Sequence, residues 1–349
     1  MTRSLFNFFF YPITYLWEKI YQLRRFAYTI GLFKSTELGV PVISVGNLSF
    51  GGTGKTPLTI WLTEFLEQYH FNVSILTRGY KSKKEKSYAV IKGRVTGQDS
   101  VVEYGDEATM MANRLPNASI VIGRNRRENI QYYFEKLKPN VLILDDGYQH
   151  LKISRSANIV LFDSLMPLEK YNTPPLGYLR EGITAIDYAD YIVLGRTDQT
   201  SREKINQLKN FINKNSNRKI PYAEFRYICE GVYGEDYKKL GDESFLKDKK
   251  IVTLSAIASP KSFYNMIEHH GGVVIEKFSF PDHHFFSEKD LKEVEEFAQK
   301  EGAIVLTTEK DFVKISAIKK NFDIVFLKIN LEFIEGEDDF KKFLMDSCQ

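Results

Sequence analysis

The chain has 349 residues, 43% of them hydrophobic and 27% charged, with a net charge of only +3. That length admits two domains or one large domain with an appendage, and the near-neutral balance gives no global field that would call for nucleic acid. Two cysteines, Cys229 and Cys348, lie far apart, which excludes a disulfide framework or a cysteine metal site and fits a reducing cytoplasm.

The chain opens on an aromatic segment. Phe6, Phe8, Phe9, Phe10, Tyr11, Tyr15, Trp17, Tyr21 and Phe26 crowd it, interrupted by Pro12 and by Glu18, Lys19, Arg24 and Arg25. Its uncharged part, Ser4 to Trp17, is shorter than the roughly 20 apolar residues of a spanning helix. No small-residue cleavage site follows, so a secretory leader is not expected. Aromatic rings on one side with Lys and Arg on the other suit a helix lying in a membrane interface. A core helix is the plainer reading, and the aromatic load tilts the balance to the membrane.

Val42–Val45 is the first expected strand. It runs into Gly46-Asn-Leu-Ser-Phe-Gly-Gly-Thr-Gly-Lys-Thr56, and an amphipathic helical pattern follows from Leu58. Strand, glycine-rich turn and helix in this order make a phosphate-binding loop. Ser49, Gly51, Gly52, Thr53, Gly54, Lys55 and Thr56 are the expected triphosphate contacts. Glycines let backbone N–H groups converge on phosphate, Lys55 can reach the β and γ oxygens, and the Thr56 hydroxyl can ligate Mg²⁺. Ser49 stands where the usual G-x-x-x-x-G-K-[ST] pattern begins with glycine. The loop instead resembles the K-G-G-x-G-K-[ST] turn of membrane-partitioning ATPases, with Phe50 in place of their signature lysine.

Strands and helices then alternate. Strands are expected at Val73–Leu76, Tyr88–Ile91, Ala118–Ile122, Val141–Leu144, Ile159–Phe162 and Tyr191–Leu194, with helices near Glu107–Arg114 and Arg127–Lys138. This pattern predicts a doubly wound, mostly parallel sheet with its ligand at the carboxyl ends of the strands. After a polar helix ending at Pro221, a second alternating run from Lys250 predicts a smaller α/β domain. The expected divisions are 1–35, 36–222 and 223–349.

Several groups along this frame carry chemistry. Asp145 and Asp146 end a buried strand, where acids hold Mg²⁺ in phosphoryl-transfer sites. Asp106 either caps a helix or serves as the base that takes a substrate hydroxyl proton. Asp282-His283-His284 could complete an active site on a mobile domain. His150, next to the acid pair, reads as structural. Arg124, Arg126, Arg127 and Arg180 could clamp phosphates. Gly195-Arg-Thr-Asp198 lacks the Asn and Lys of guanine readout, so ATP is expected.

With these parts in order, the chain resembles the tetraacyldisaccharide 4′-kinase family. The resemblance lies in Ser44–Pro57, Thr77-Arg-Gly-Tyr80, Tyr104-Gly-Asp-Glu107, Leu144-Asp-Asp-Gly-Tyr-Gln-His150, Pro174–Glu181, Phe280-Pro-Asp-His-His284 and Thr307-Thr-Glu-Lys-Asp311. It implies ATP- and Mg²⁺-dependent phosphorylation of the 4′-hydroxyl of an acylated glucosamine disaccharide 1-phosphate, a lipid A precursor. It also implies a peripheral enzyme on the cytoplasmic face of the inner membrane, with no obligatory protein partner. Asp106 and His283 then fall on the pair that works on the acceptor hydroxyl, beside Lys55 on the donor. A membrane-associated ATPase switch acting through a partner is the rival, and a soluble small-molecule kinase is a second one.

Overall fold

The computed structural model describes residues 3–95, 100–282, 284–318 and 322–349, with side chains from Phe9 onward. Helix α1 (Arg3–Thr29) opens the chain, and Pro12 lies inside it without ending it. Strand β1 (Val42–Asn47) is buried throughout and leads to α2 (Lys55–Gln68), which buries Leu58, Leu62, Phe65 and Leu66. Then follow β2 (Val73–Thr77), β3 (Ala89–Lys92), α3 (Ser100–Tyr104), α4 (Asp106–Arg114), β4 (Ser119–Ile122) and α5 (Arg126–Leu137). Strands β5 (Val141–Asp145), β6 (Ala157–Asp163) and β7 (Tyr191–Gly195) are the continuous apolar runs of a sheet covered on both faces. Ser201 caps α6 (Arg202–Lys214), accepting from the Lys204 N–H, and Ile205, Leu208 and Ile212 form its buried stripe. The remaining elements are β8 (Tyr222–Tyr233), β9 (Lys239–Gly241), β10 (Lys250–Ser255), α7 (Pro260–His269), β11 (Val273–Ser279), α8 (Glu288–Glu301), β12 (Ile304–Thr308), α9 (Glu309–Ser316), β13 (Ile324–Glu335) and α10 (Glu337–Ser347).

These elements gather into two compact units. The first takes Met1–Thr77, Arg126–Arg226 and Leu331–Gln349, the second Arg78–Asn125 and Tyr227–Asn330. In the first, parallel strands run in the order β8-β7-β6-β1-β5-β2. The order turns at β1, and the carboxyl ends beside such a turning point are where open α/β sheets bind ligands. Val45 lies opposite Asp145 in the β1–β5 register, which brings the acid pair to the start of the phosphate loop. In the second unit β11-β10-β12-β13 run parallel, β9 pairs antiparallel with β8, and β3 with β4.

The units do not follow the sequential divisions at residues 35 and 222. Residues 78–125 join the later segment because α4 meets α9: Arg114 pairs with Glu309 at 3.2 Å and donates to the Ile329 carbonyl at 2.8 Å. The chain end returns to the first unit, where Phe340 sits among the rings of Trp61, Tyr191 and Phe333. Five elements go beyond the sequence expectation: α3, β8, β9, α9 and α10. Charges disguise β8. Its buried Glu224 is neutralised by Lys209 and Arg202, each at 2.6 Å.

Helix α1 is fastened to the first unit by polar contacts. Arg25 holds Glu181 through two hydrogen bonds of 2.6 and 2.8 Å, donates to the Tyr148 carbonyl, and lies between the rings of Tyr148 and Tyr188. The Trp17 indole N–H donates to the Arg180 carbonyl at 3.0 Å. Both members of the Arg25–Glu181 pair are almost wholly buried. Removing one leaves an uncompensated charge inside the protein, whereas removing both does not. Arg25→Met should therefore cost about 3 kcal/mol in urea denaturation, and adding Glu181→Leu should recover most of it. Equal losses in the single and double variants would contradict that account.

Candidate active site

The phosphate loop is built from backbone and small side chains. Asn47, the last residue of β1, donates from Nδ2 to Thr53 Oγ1 at 2.9 Å and to Ser49 Oγ at 3.4 Å. The Phe50 N–H donates to the Tyr178 carbonyl at 2.7 Å, and the Arg180 N–H to the Leu48 carbonyl at 2.6 Å. Gly51 and Gly54 have φ of 101° and 94°, which a side chain would strain. Gly54 caps α2 without any side-chain bond, so the first-turn N–H groups await an outside acceptor such as phosphate. Gly52 lies between these two glycines in the turn, and Thr56 is the second residue of α2. Lys55 Nζ stands 3.5 Å from the Gly51 carbonyl and 3.6 Å from Asp146 Oδ1.

The acids divide their tasks. Asp145 is buried and accepts from the hydroxyls of Thr59 and Thr77, each at 3.2 Å. Asp146, at φ 47°, turns toward cations: Arg180 Nη1 lies 2.8 Å from both carboxylate oxygens. Burial would raise its pKa, but Lys55, Arg180 and Arg126 outweigh burial and hold the carboxyl below its ordinary value. Gly147 makes this turn possible, because a Cβ there would meet Leu144 Cβ at 2.4 Å and Ser44 Oγ at 2.8 Å. The Arg180 guanidinium also covers the Phe50 ring at 5.7 Å, so the residue in the signature-lysine position serves Arg180. His150 is pushed down to about 3 by burial and by Arg126, Arg155, Lys152 and Arg24, and is neutral at physiological pH.

Asp106 belongs to the second unit. Gly105, at φ 94°, takes the cap position, and Asp106 is the first residue of α4, its Oδ1 accepting from the Glu107 N–H at 2.9 Å. The capping alternative for Asp106 is thereby corrected, and its carboxylate sits at the positive end of the helix. Lys310 Nζ lies 3.8 Å from Asp106 Oδ2 and 3.5 Å from both Glu107 Oε1 and Asp282 Oδ1. His283 lies outside the described residues. His284 stacks on Phe280 at 4.5 Å between ring centres, and its Nε2 is 3.4 Å from Asp290 Oδ2. That pair anchors His284 to the start of α8.

Every expected triphosphate contact, together with Asp145 and Asp146, falls in the first unit. Of the arginines, Arg180 and Arg126 reach Asp146, the latter at its carbonyl (3.1 Å), while Arg127 pairs with Glu128. Asn47, Thr59, Thr77 and Lys310 are additions. The first three carried a signal: each is a polar residue at the end of an apolar strand or one turn into α2, at the sheet's ligand edge.

A family model described as tetraacyldisaccharide-1-P 4′-kinase (LpxK) matches residues 6–349. A tetraacyldisaccharide 4′-kinase of Halothermothrix orenii is 36% identical over 328 residues, covering 88% of this chain and 84% of the relative. The Aquifex aeolicus tetraacyldisaccharide 4′-kinase is 34% identical over 333 residues, covering 95% and 96%. The crystal structure of apo-form LpxK from Aquifex aeolicus in complex with ATP aligns with a TM-score of 0.78 and 31% identity, covering 97% of this chain and 98% of that one.

The crowding at Gly147 and the cation ring at Asp146 give two expected outcomes in a nucleoside triphosphate titration. Gly147→Ala displaces the acid turn and Lys55→Ala removes a charge-assisted contact, each weakening binding by roughly ten- to a hundredfold. Unchanged affinity in either folded variant would exclude this loop as the triphosphate site.

Proposed function

Because the chain belongs to the tetraacyldisaccharide-1-P 4′-kinase family, we propose that it transfers the γ-phosphoryl group of ATP to the 4′-hydroxyl of a tetraacylated glucosamine disaccharide 1-phosphate, a step in making lipid A. The match across residues 6–349 carries this reading, since it takes in the loop, the acid pair and the Asp106 segment together. It does not favour a partner-driven ATPase switch. ATP as donor is supported by the relative crystallised with it. The absence of Asn and Lys at Gly195–Asp198 agrees: Arg196 turns back onto Asp163, with Nε 3.1 Å from Oδ1.

The roles follow from the chemistry of the side chains. Backbone N–H groups of Ser49 to Gly54 and the Lys55 ammonium hold the triphosphate. Thr56, Asp145 and Asp146 offer only hard oxygen donors, a set that fits Mg²⁺ completed by phosphate and water. Among the described residues no three His, Cys, Asp or Glu side chains converge to hold a metal by themselves. When bound, Mg²⁺ neutralises charge on the phosphate oxygens. Asp106 accepts the proton of the 4′-hydroxyl as that oxygen bonds to the γ-phosphorus and the bond to the β-phosphate oxygen breaks, with His283 assisting. Arg180 keeps Asp146 ionised and aimed. Rate enhancement comes from positioning and charge stabilisation, because the protein forms no covalent bond to the phosphoryl group.

A membrane location for this reaction is supported by helix α1. Phe9, Tyr11, Ile13, Tyr15, Leu16, Ile20, Leu23 and Phe26 are more than half exposed, whereas Arg25 and Ala27 are buried. No helix among the described residues is long and apolar enough to cross a membrane. An apolar face held outward by a polar, docked face suits a peripheral enzyme seated in the inner membrane's cytoplasmic leaflet, where a lipid acceptor is found.

Two measurements test these proposals. Label from γ-labelled ATP should pass to the tetraacylated disaccharide 1-phosphate in mixed micelles, and Asp106→Ala should abolish transfer with the fold intact. Robust transfer by that variant would sink the base assignment. In vesicle flotation the protein should rise with anionic liposomes, and replacing Ile13, Leu16, Ile20 and Leu23 by Ser should leave it in the dense fraction. Flotation unaffected by those four changes would exclude α1 as the membrane contact.

A further inference from the structure

The segment Thr307-Thr-Glu-Lys-Asp311 lies outside the phosphate loop and the acid pair, yet its polar side chains tie several elements of the second unit together. Thr308 caps α9: its hydroxyl accepts from the Asp311 N–H at 3.2 Å and donates to Asp311 Oδ2 at 2.8 Å. Asp311 also accepts from the Ala256 N–H at the end of β10 and pairs with Lys314 at 2.6 Å. Glu309 pairs with Arg114 on α4. Between these anchors Lys310 reaches Glu107, Asp282 and Asp106 at 3.5, 3.5 and 3.8 Å.

One ammonium therefore serves three carboxylates, with most of its side chain out of water. Burial would lower the Lys310 pKa, but Glu107, Asp106, Asp282 and Asp311 raise it above its ordinary value. Lys310 thus keeps its proton and its charge across the working pH range and does not itself take up the acceptor's proton. Tyr80, Lys81 and Lys314 line the same depression as Asp106, but Lys314 is taken by Asp311 and Lys81 lies over the Tyr80 ring.

We infer that Lys310 is a positioning residue for phosphoryl transfer, holding Asp106 as a carboxylate and fastening Asp282, the neighbour of His283, to the first turn of α4. The inference rests on Asp106 acting as the base. Without the ammonium, Asp106, Glu107 and Asp282 repel one another, and the least costly relief is for one to take a proton. A protonated Asp106 cannot accept the acceptor's hydroxyl proton. Glu309 and Asp311, on either side of Lys310, fix the backbone from which it reaches, so placement is built into the helix start.

The test uses Lys310→Met and Lys310→Arg in the full chain, with folding checked by thermal melting. Lys310→Met should lower kcat roughly ten- to a hundredfold while leaving KM for ATP within about twofold, since it removes no contact to the nucleotide. Loss of a nearby cation raises a carboxyl pKa, so the acidic limb of the kcat–pH profile should move up by about one unit. Lys310→Arg should restore most of the rate and the original limb. Carboxyl ¹³C NMR on aspartate-labelled protein, with the Asp106 signal assigned by Asp106→Asn, reads the same upward shift with no acceptor present. A folded Lys310→Met protein with wild-type kcat and limb, or an Asp106 titration that does not move, would overturn the inference. Failure of the wild type to label the lipid overturns the acceptor assignment instead, and the carboxyl titration still decides the role of Lys310.

Discussion

The carboxylate one residue past the end of β5 is balanced by positive charge, and the balance struck at Asp146 organises the first unit. Lys55 comes to it from the phosphate loop, Arg180 from the connection between β6 and β7, and Arg126 from the start of α5. Each cation is tied to its own stretch of backbone, so one negative charge fixes three stretches at the carboxyl edge of the sheet. About a third of the Asp146 side chain stays exposed, and the three cations together outweigh the desolvation of the rest. The positive φ of Asp146 and the closeness of Gly147 to Leu144 are the local expense of aiming it there.

The short run from Tyr178 to Glu181 extends this balance outward. Its backbone pairs with Leu48 and Phe50 of the phosphate loop, while Arg180 and Glu181 point to different partners. Arg180 meets Asp146; Glu181 meets Arg25 of α1 and the Gln149 amide. Helix α1 is therefore docked through residues next in sequence to one that holds the acid pair. A helix presenting its apolar face outward needs such a polar anchor, because its hydrophobic side chains are not available to pack on the protein.

Much of this was legible in the sequence, and the reasons differ by element. The phosphate loop and the β5 acids announce themselves because apolar runs end abruptly in Gly, Lys, Thr and Asp, and the parallel register then brings them together. Strand β8 was hidden by Glu224, whose partners Arg202 and Lys209 lie on α6 and are invisible to a local pattern. Helix α9 follows β12 without a break and is only eight residues long, too short for periodicity to declare it. The grouping of residues 78–125 with the later segment depends on Arg114 meeting Glu309, a pairing no sequence spacing encodes. Lys310 shares that fate, since its three carboxylates come from α4 and from the segment after β11.

The alternation at Arg180 and Glu181 also bears on how this chain can change over evolutionary time. Loops ordinarily absorb inserted or deleted residues with little penalty. Here adjacent side chains serve opposite sides, so a single residue inserted before Arg180 would carry Arg180 into the place of Glu181, setting a guanidinium against Arg25 and leaving Asp146 without its closest cation. One buried and one partly exposed ion pair would be lost at once. The segment has the appearance of a connection and the length tolerance of a central strand.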